Sequence, residues 1–210
     1  MVPTVPFPRR PLDVRRPDAV VRYWYENELG WATVPGALVE DPVGAPVEAS
    51  VEAPVELLTG LRFDVLEAPA EAGYAALRHL MPGSPVAVCA DRMRVFVAAG
   101  SAEELPGLLD WLEWGSLALD LRATGSGGRV AAPLPPGLLP AAGSQGAAVW
   151  LRPPEPGREV ESSLPALSAL GRGGGGGGGA PDLVRLVETM ATECHRIRLR
   201  RCCGQPLAFS

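Results

Sequence analysis

The chain contains no lysine, and all 19 of its basic residues are arginine. Isoleucine is almost as scarce, since Ile197 is the single example, whereas glycine and proline number 25 and 23. A very GC-rich genome encodes such a composition, so we interpret the source as an actinobacterium-like organism. The arginine content therefore reflects codon usage and does not by itself indicate affinity for nucleic acid.

An excess of positive charge, long apolar runs and Cys-x-x-Cys pairs are also absent. The formal net charge of −5 argues against a dedicated nucleic-acid-binding protein, whose surface is normally basic overall. No stretch approaches the roughly 18 uninterrupted apolar residues of a membrane-spanning helix, and the N-terminus has no signal-like apolar core. The four cysteines have no spacing typical of a structural zinc site. We therefore expect a reduced, cytoplasmic protein without a membrane partner.

Local composition divides the chain into one folded domain and several appendages. Proline and arginine dominate the N-terminus, and Val-Glu repeats form an acidic low-complexity insert. Seven consecutive glycines form a linker that lacks the lysine of a phosphate-binding loop. The predicted parts are a disordered arm at 1–17, a domain at 18–152 with the insert at 42–56, a linker at 153–180, an amphipathic helix at 181–201 and a tail at 202–210.

Hydrophobic periodicity predicts an α+β domain. The order of elements is helix, strand, insert, strand, helix, two strands, helix and hairpin, which favours a sheet with helices packed against it. Helices are predicted from Asp18 to Leu29, over 70–80 with Tyr74 facing inward, and from Ser101 onward. Strands are predicted at 31–35, 59–69, 85–89, 92–98, 117–121 and 147–151, and the glycine turn at 124–128 favours a hairpin.

Two of the predicted strands each carry an aspartate just before a turn. Asp64 precedes a turn and a helix, and Asp120 alternates with leucines just before the glycine turn. A carboxylate at the end of a strand beside a flexible loop is a common way to place a metal ligand in a cleft. The alternative for Asp120 is a solvent-exposed side chain on a hairpin.

Four segments in this order resemble the bifunctional DNA primase/polymerase (Prim-Pol) domain of the archaeo-eukaryotic primase superfamily. They cover about residues 18–136, and the chain looks like a diverged, actinobacterial-type member. The matching segments are the Gly-Trp and Pro of 28–36, the acid strand with Asp64, the strand at 91–97, and Asp120 followed by Gly127-Gly128, Val130 and Pro135-Pro136.

The resemblance implies a Prim-Pol-like mixed sheet with helices packed against it and metal-dependent nucleotidyl transfer. Asp64 and Asp120 would hold Mg²⁺ or Mn²⁺ on adjacent strands. Arg94, facing the same cleft, would join them in catalysis, and Arg94 with Arg92 would bind the triphosphate. DNA and dNTPs would be the partners.

The chain departs from this family at two catalytic positions. Leu66 replaces the second acid of the family's Asp-x-Asp pair, and Glu67 should face away from Asp64 because side chains alternate along a strand. Arg94 or Met93 stands where the family has a histidine. Two-metal catalysis needs several converging carboxylates. We therefore expect weakened or lost nucleotidyl transfer, with a non-catalytic regulatory or protein-interaction scaffold as the alternative.

The predicted C-terminal helix has an apolar stripe at three- and four-residue steps, which requires a packing surface. Two interpretations are open. The helix docks on the sheet of its own domain, or it binds a protein partner.

Overall fold

The computed structural model describes residues 17–34, 55–138, 147–167 and 182–203. The α+β class is confirmed, and the chain ends its described part in a long helix. The helices are α1 (Pro17–Tyr23), α2 (Ala70–Ala76), α3 (Ser101–Trp111) and α4 (Leu183–Cys203), with a π-helical segment at Trp24–Glu28 and 3₁₀ turns at Leu77–His79 and Val160–Ser163. The strands are β1 (Thr33–Val34), β2 (Glu56–Leu58), β3 (Phe63–Pro69), β4 (Val86–Cys89), β5 (Arg92–Ala98), β6 (Arg122–Thr124), β7 (Arg129–Ala131) and β8 (Val149–Arg152).

The strands form two sheets. The larger has the order β6-β3-β5-β4-β8 and the smaller has the order β1-β2-β7, and neighbouring strands in both are antiparallel. Isolated parallel bridges join Leu134 to Val149 and Ala166 to Asp182. Strand β3, which lies between β6 and β5, is buried along nearly its whole length because both faces of the large sheet are covered.

Each face of the large sheet carries its own apolar core. One core packs α2, α3 and α4 against residues such as Leu66 and Val95. The other is aromatic and fills the space between the two sheets, where Trp31 lies 4.4 Å from Phe63 and 5.5 Å from Phe96 between ring centroids. We call these two sides the helix face and the aromatic face of the sheet.

Several predicted elements are confirmed. The first helical segment ends before Gly30, whose positive φ of 67° glycine adopts without strain. The turn at Ala90 separates β4 from β5, and α3 begins at Ser101. The C-terminal helix packs its apolar stripe on the helix face of its own domain, mainly against α2. Of the two interpretations of this helix, docking on its own domain is therefore confirmed.

Other predictions about local structure are wrong. Residues 117–121 are not a strand, and β6 and β7 form no hairpin because they join different sheets. The glycine turn redirects the chain between the sheets, where Thr59 Oγ1 donates a hydrogen bond of 2.5 Å to the carbonyl of Gly125. Tyr74 is 52% exposed, because α2 packs its small residues on the sheet instead.

The linker begins later than predicted. Val160 and Leu164 are buried in the aromatic core, and the amide of Ala98 donates to the carbonyl of Pro165. Residues 153–167 therefore belong to the domain. Four predicted segments lie outside the described residues, namely the arm at 1–16, residues 42–54 of the insert, residues 168–180 of the linker and residues 204–210 of the tail. Cys202 and Cys203, at the start of the predicted tail, extend α4.

None of the helices in the described ranges is both long enough and apolar enough to cross a membrane.

Candidate functional site

Asp64 and Glu67 of β3 lie on opposite faces of the large sheet. In the register with β5, Asp64 is opposite Val97 and Glu67 is opposite Arg94, and directly opposed residues share a face. Val97 belongs to the helix-face core. The Arg94 guanidinium donates to the carbonyl of Ala131 in the smaller sheet, on the aromatic side. The alternation expected between Asp64 and Glu67 is therefore confirmed.

Asp64 is a buried cap for α3. Its side chain is fully buried, and Oδ2 accepts a hydrogen bond of 2.9 Å from the amide of Ala102 in the first turn of that helix. Burial raises the pKa of Asp64, the Ala102 amide opposes that shift, and the nearby Glu103 carboxylate adds to it. The Asp64 carboxylate thus stabilises a helix N-terminus, as a local capping side chain would.

Glu67, Arg92, Arg94 and Asp120 form a compact cluster of ion pairs, which we call the arginine–carboxylate cluster. Arg92 spans both acids, with Nε 3.2 Å from Glu67 Oε1 and Nη1 2.7 Å from Asp120 Oδ1. Arg94 Nε lies 2.8 Å from Glu67 Oε2. The side chains of Glu67, Arg92 and Arg94 are about four-fifths buried, at 21%, 19% and 15% exposure.

The charges in this cluster compensate one another. Burial alone would raise the pKa of Glu67, but the hydrogen bonds and charges of Arg94 and Arg92 hold that pKa below its usual value. Burial would likewise lower the pKa of Arg92, and the carboxylates of Asp120 and Glu67 raise it instead. Glu67 is therefore ionised and Arg92 is charged at neutral pH.

The cluster occupies the two carboxylates with guanidinium groups. A divalent cation shared by Glu67 and Asp120 would take the position between them that Arg92 now bridges, and it would be repelled by two positive charges. Among the residues that the structure describes, no three His, Cys, Asp or Glu side chains converge as a metal-binding group. As it stands, the arrangement stabilises the join between the sheets and leaves no free carboxylate pair for a metal.

The structure brings together only part of the predicted site. Asp120, Arg92 and Arg94 are in one cluster, but Asp64 is on the other face and near the other end of β3. Arg92, which holds Asp120, pairs with Pro69, five positions along β3 from Asp64, or about 17 Å at the usual rise per residue. The predicted geometry, with Asp64 and Asp120 on adjacent strands and Arg94 in the same cleft as Asp64, is wrong.

Glu67 is the cluster residue that sequence reasoning did not assign to the site. The signal for it was present, since strand alternation places an acid three residues after Asp64 on the opposite face. Its neighbours could not be identified without the register between β3 and β5. That register also sets Arg122 of β6 opposite Glu67, which places a third arginine at the exposed edge of the same face.

Comparison of this chain with known protein families, with characterised proteins and with solved structures finds no match.

Proposed function

We propose that this protein is a diverged Prim-Pol-like domain that has lost metal-dependent nucleotidyl transfer and serves as a non-catalytic binding scaffold in the cytoplasm. The observation that carries the proposal is the bridge of Arg92 between Glu67 and Asp120. The Arg92 guanidinium ties Asp120, which the resemblance assigns to the metal, to Glu67, so a cation at Asp120 would have to displace Arg92.

The position of Asp64 supports the same conclusion. Two-metal phosphoryl transfer requires carboxylates that converge on ions about 3.5–4 Å apart. Asp64 instead caps α3 on the helix face, and its burial disfavours the ionised form that a metal ligand needs. A dNTP would also have to compete with Glu67 and Asp120 for the guanidinium groups of Arg92 and Arg94.

Metal binding and primer extension test this proposal. The purified chain should show no Mn²⁺-dependent dNTP binding by calorimetry and no extension of a primed DNA template. The variant Arg92→Ala should gain weak Mn²⁺ binding, because it frees two adjacent carboxylates. Adding Glu67→Gln and Asp120→Asn to that variant should abolish the gain.

The matched control is Asp64→Asn, which alters an acid outside the cluster and should leave the metal response of Arg92→Ala unchanged. Robust primer extension by the unmodified chain that disappears in Glu67→Gln/Asp120→Asn would overturn the proposal. The same result would show that the cluster opens to accept a metal.

A further inference from the structure

A polar groove of about 360 Å³ lies between the 3₁₀ turn at 77–79 and α4. It lies on the helix side of the domain and shares no lining residue with the arginine–carboxylate cluster. Three arginines (Arg78, Arg185 and Arg196) line it together with His79, two threonines and the carboxylates of Glu188 and Glu193. The lining residues that belong to α4 occupy its outward stripe, since the inward stripe packs in the helix-face core.

Hydrogen bonds determine the state of His79. Arg78 Nε lies 3.1 Å from His79 Nε2, and a guanidinium N–H can only donate, so Nε2 accepts and carries no proton. The hydroxyl of Thr189 lies 2.9 Å from the same nitrogen. The imidazole is therefore neutral, with its proton on Nδ1, and it adds no positive charge to the unliganded groove.

Both arginines and carboxylates surround this imidazole, and the effect of the arginines on its pKa is the larger. Burial lowers the pKa of His79, and the guanidinium groups of Arg78 and Arg185 lower it further against the opposing carboxylates of Asp182 and Glu188. Arg196 is neutralised by Glu193 at 2.7 Å.

The two other arginines are more available to a ligand. Arg185 Nε lies 3.4 Å from Asp182 Oδ2, and the Arg185 side chain is 73% exposed. No carboxylate of the described ranges lies within ion-pair distance of Arg78, whose guanidinium is exposed. Arg78 and Arg185 are thus two guanidinium groups on facing elements that are open to a new partner.

We propose that this groove binds a phosphate-type oxyanion of a small molecule, held by Arg78 and Arg185 and joined by His79 once its imidazole is protonated. Guanidinium groups match tetrahedral oxyanions through paired N–H donors, which is why arginine is common in phosphate recognition. When an anion enters, Arg78 turns its donors to the ligand and Nε2 becomes a donor. Ligand binding and proton uptake by His79 are therefore coupled.

Sulfate is the first probe, because its charge is constant over the pH range in which histidine titrates. Titration of the full chain should shift the ring-proton NMR signals of His79 and raise the pKa of this residue. His195 packs against Trp114 on another side of α4 and provides an internal reference. Affinity for sulfate should increase as the pH falls and level off below the pKa of His79 in the unliganded protein.

Variants then assign the binding to the groove. Arg78→Gln/Arg185→Gln should weaken sulfate binding at least about tenfold, since two charge-assisted contacts are removed. Arg158→Gln removes one exposed arginine from a distant loop and should have no effect. His79→Gln should retain weak binding and lose its pH dependence.

Inorganic phosphate and dAMP distinguish a free anion from the phosphate of a larger molecule. Tighter binding of dAMP would assign a phosphomonoester as the ligand, and equal binding would assign the free oxyanion. Sulfate shifts that are equal at His79 and His195, or that persist in Arg78→Gln/Arg185→Gln, would overturn the proposal. Arg92→Ala should leave these shifts unchanged, so failure here is independent of the proposed function.

Discussion

Asp64 and Glu67 lie three residues apart on β3, and their carboxylates serve opposite faces of the sheet. Asp64 accepts the Ala102 amide at the start of α3, and Glu67 accepts the guanidinium groups of Arg92 and Arg94. Burial dominates at Asp64 and raises its pKa, whereas the arginines dominate at Glu67 and lower its pKa. One strand thus holds two acids whose pKa values are shifted in opposite directions.

The two acids should give opposite pH dependences of stability. Glu67 has a folded-state pKa below its unfolded value of about 4.3, so its stabilisation is present above that value and is lost as the pH falls through the folded pKa. Asp64 has a folded-state pKa above its unfolded value of about 3.9, so its contribution is largest below that value and declines as the pH rises through the folded pKa.

Urea unfolding from acidic to neutral pH measures this difference. The destabilisation caused by Glu67→Gln should grow as the pH rises, and that caused by Asp64→Asn should shrink. Parallel pH profiles for the two variants would contradict the assigned environments.

Removal of the Asp64 side chain should destabilise the domain. Asp64→Ala leaves the Ala102 amide without its acceptor and creates a small void beneath α3, so we expect a loss of about 1–3 kcal/mol in the free energy of unfolding. Asp64→Asn keeps an acceptor oxygen and should lose less. If Asp64→Ala matched the unmodified chain in chemical denaturation, the capping role would be refuted.

The pairing of Glu67 with Arg94 should be measurable by a double-mutant cycle. Because both side chains are mostly buried, Glu67→Gln should lower the free energy of unfolding by about 2 kcal/mol. This loss lies between those typical of exposed and of fully buried ion pairs. The control pair is Glu155 with Arg158, whose side chains are 62% and 76% exposed. Its coupling energy should be close to zero, and similar coupling in both pairs would contradict the expected effect of burial.

Two helical glycines should respond oppositely to alanine. A Cβ at Gly73 of α2 would overlap Met93 Sδ and lie 2.6 Å from Met93 Cβ, so Gly73→Ala should lose about 1–3 kcal/mol through overpacking. A Cβ at Gly107 of α3 meets nothing within 4 Å. Gly107→Ala should therefore gain about 0.5–1 kcal/mol from helix propensity. Thermal unfolding of both variants measures the contrast, and a loss at both positions would be inconsistent with this packing.

The cysteines of α4 should differ in reactivity. Burial is the main cause that raises the pKa of Cys194 to about 11, and Cys202 and Cys203 are exposed. A thiol reagent at neutral pH should label Cys202 and Cys203 in the folded chain and Cys194 only after unfolding. Peptide mapping by mass spectrometry assigns each site. Early labelling of Cys194 would show that α4 detaches from the sheet.

Some features of this protein follow from sequence alone because they depend on near neighbours. Apolar spacing of three and four residues predicts α4 and its inward stripe, and alternation places Asp64 and Glu67 on opposite faces. The pattern over residues 70–80 predicted the helix correctly but assigned the wrong side of it to the core. Tyr74 fits the periodic pattern, yet close packing of α2 on Met93 admits only small residues there.

Contacts distant in sequence were decided by the tertiary structure. The glycine turn after Asp120 is compatible with a hairpin, and only the packing of two sheets sends β6 and β7 to different partners. The arginine–carboxylate cluster depends on the register of β3 against β5, where a shift of one residue would move Arg94 to the other face. Side-chain chemistry and alternation are local properties of a sequence. Which acid meets which arginine depends on strand pairing, which the burial of both sheet faces determines.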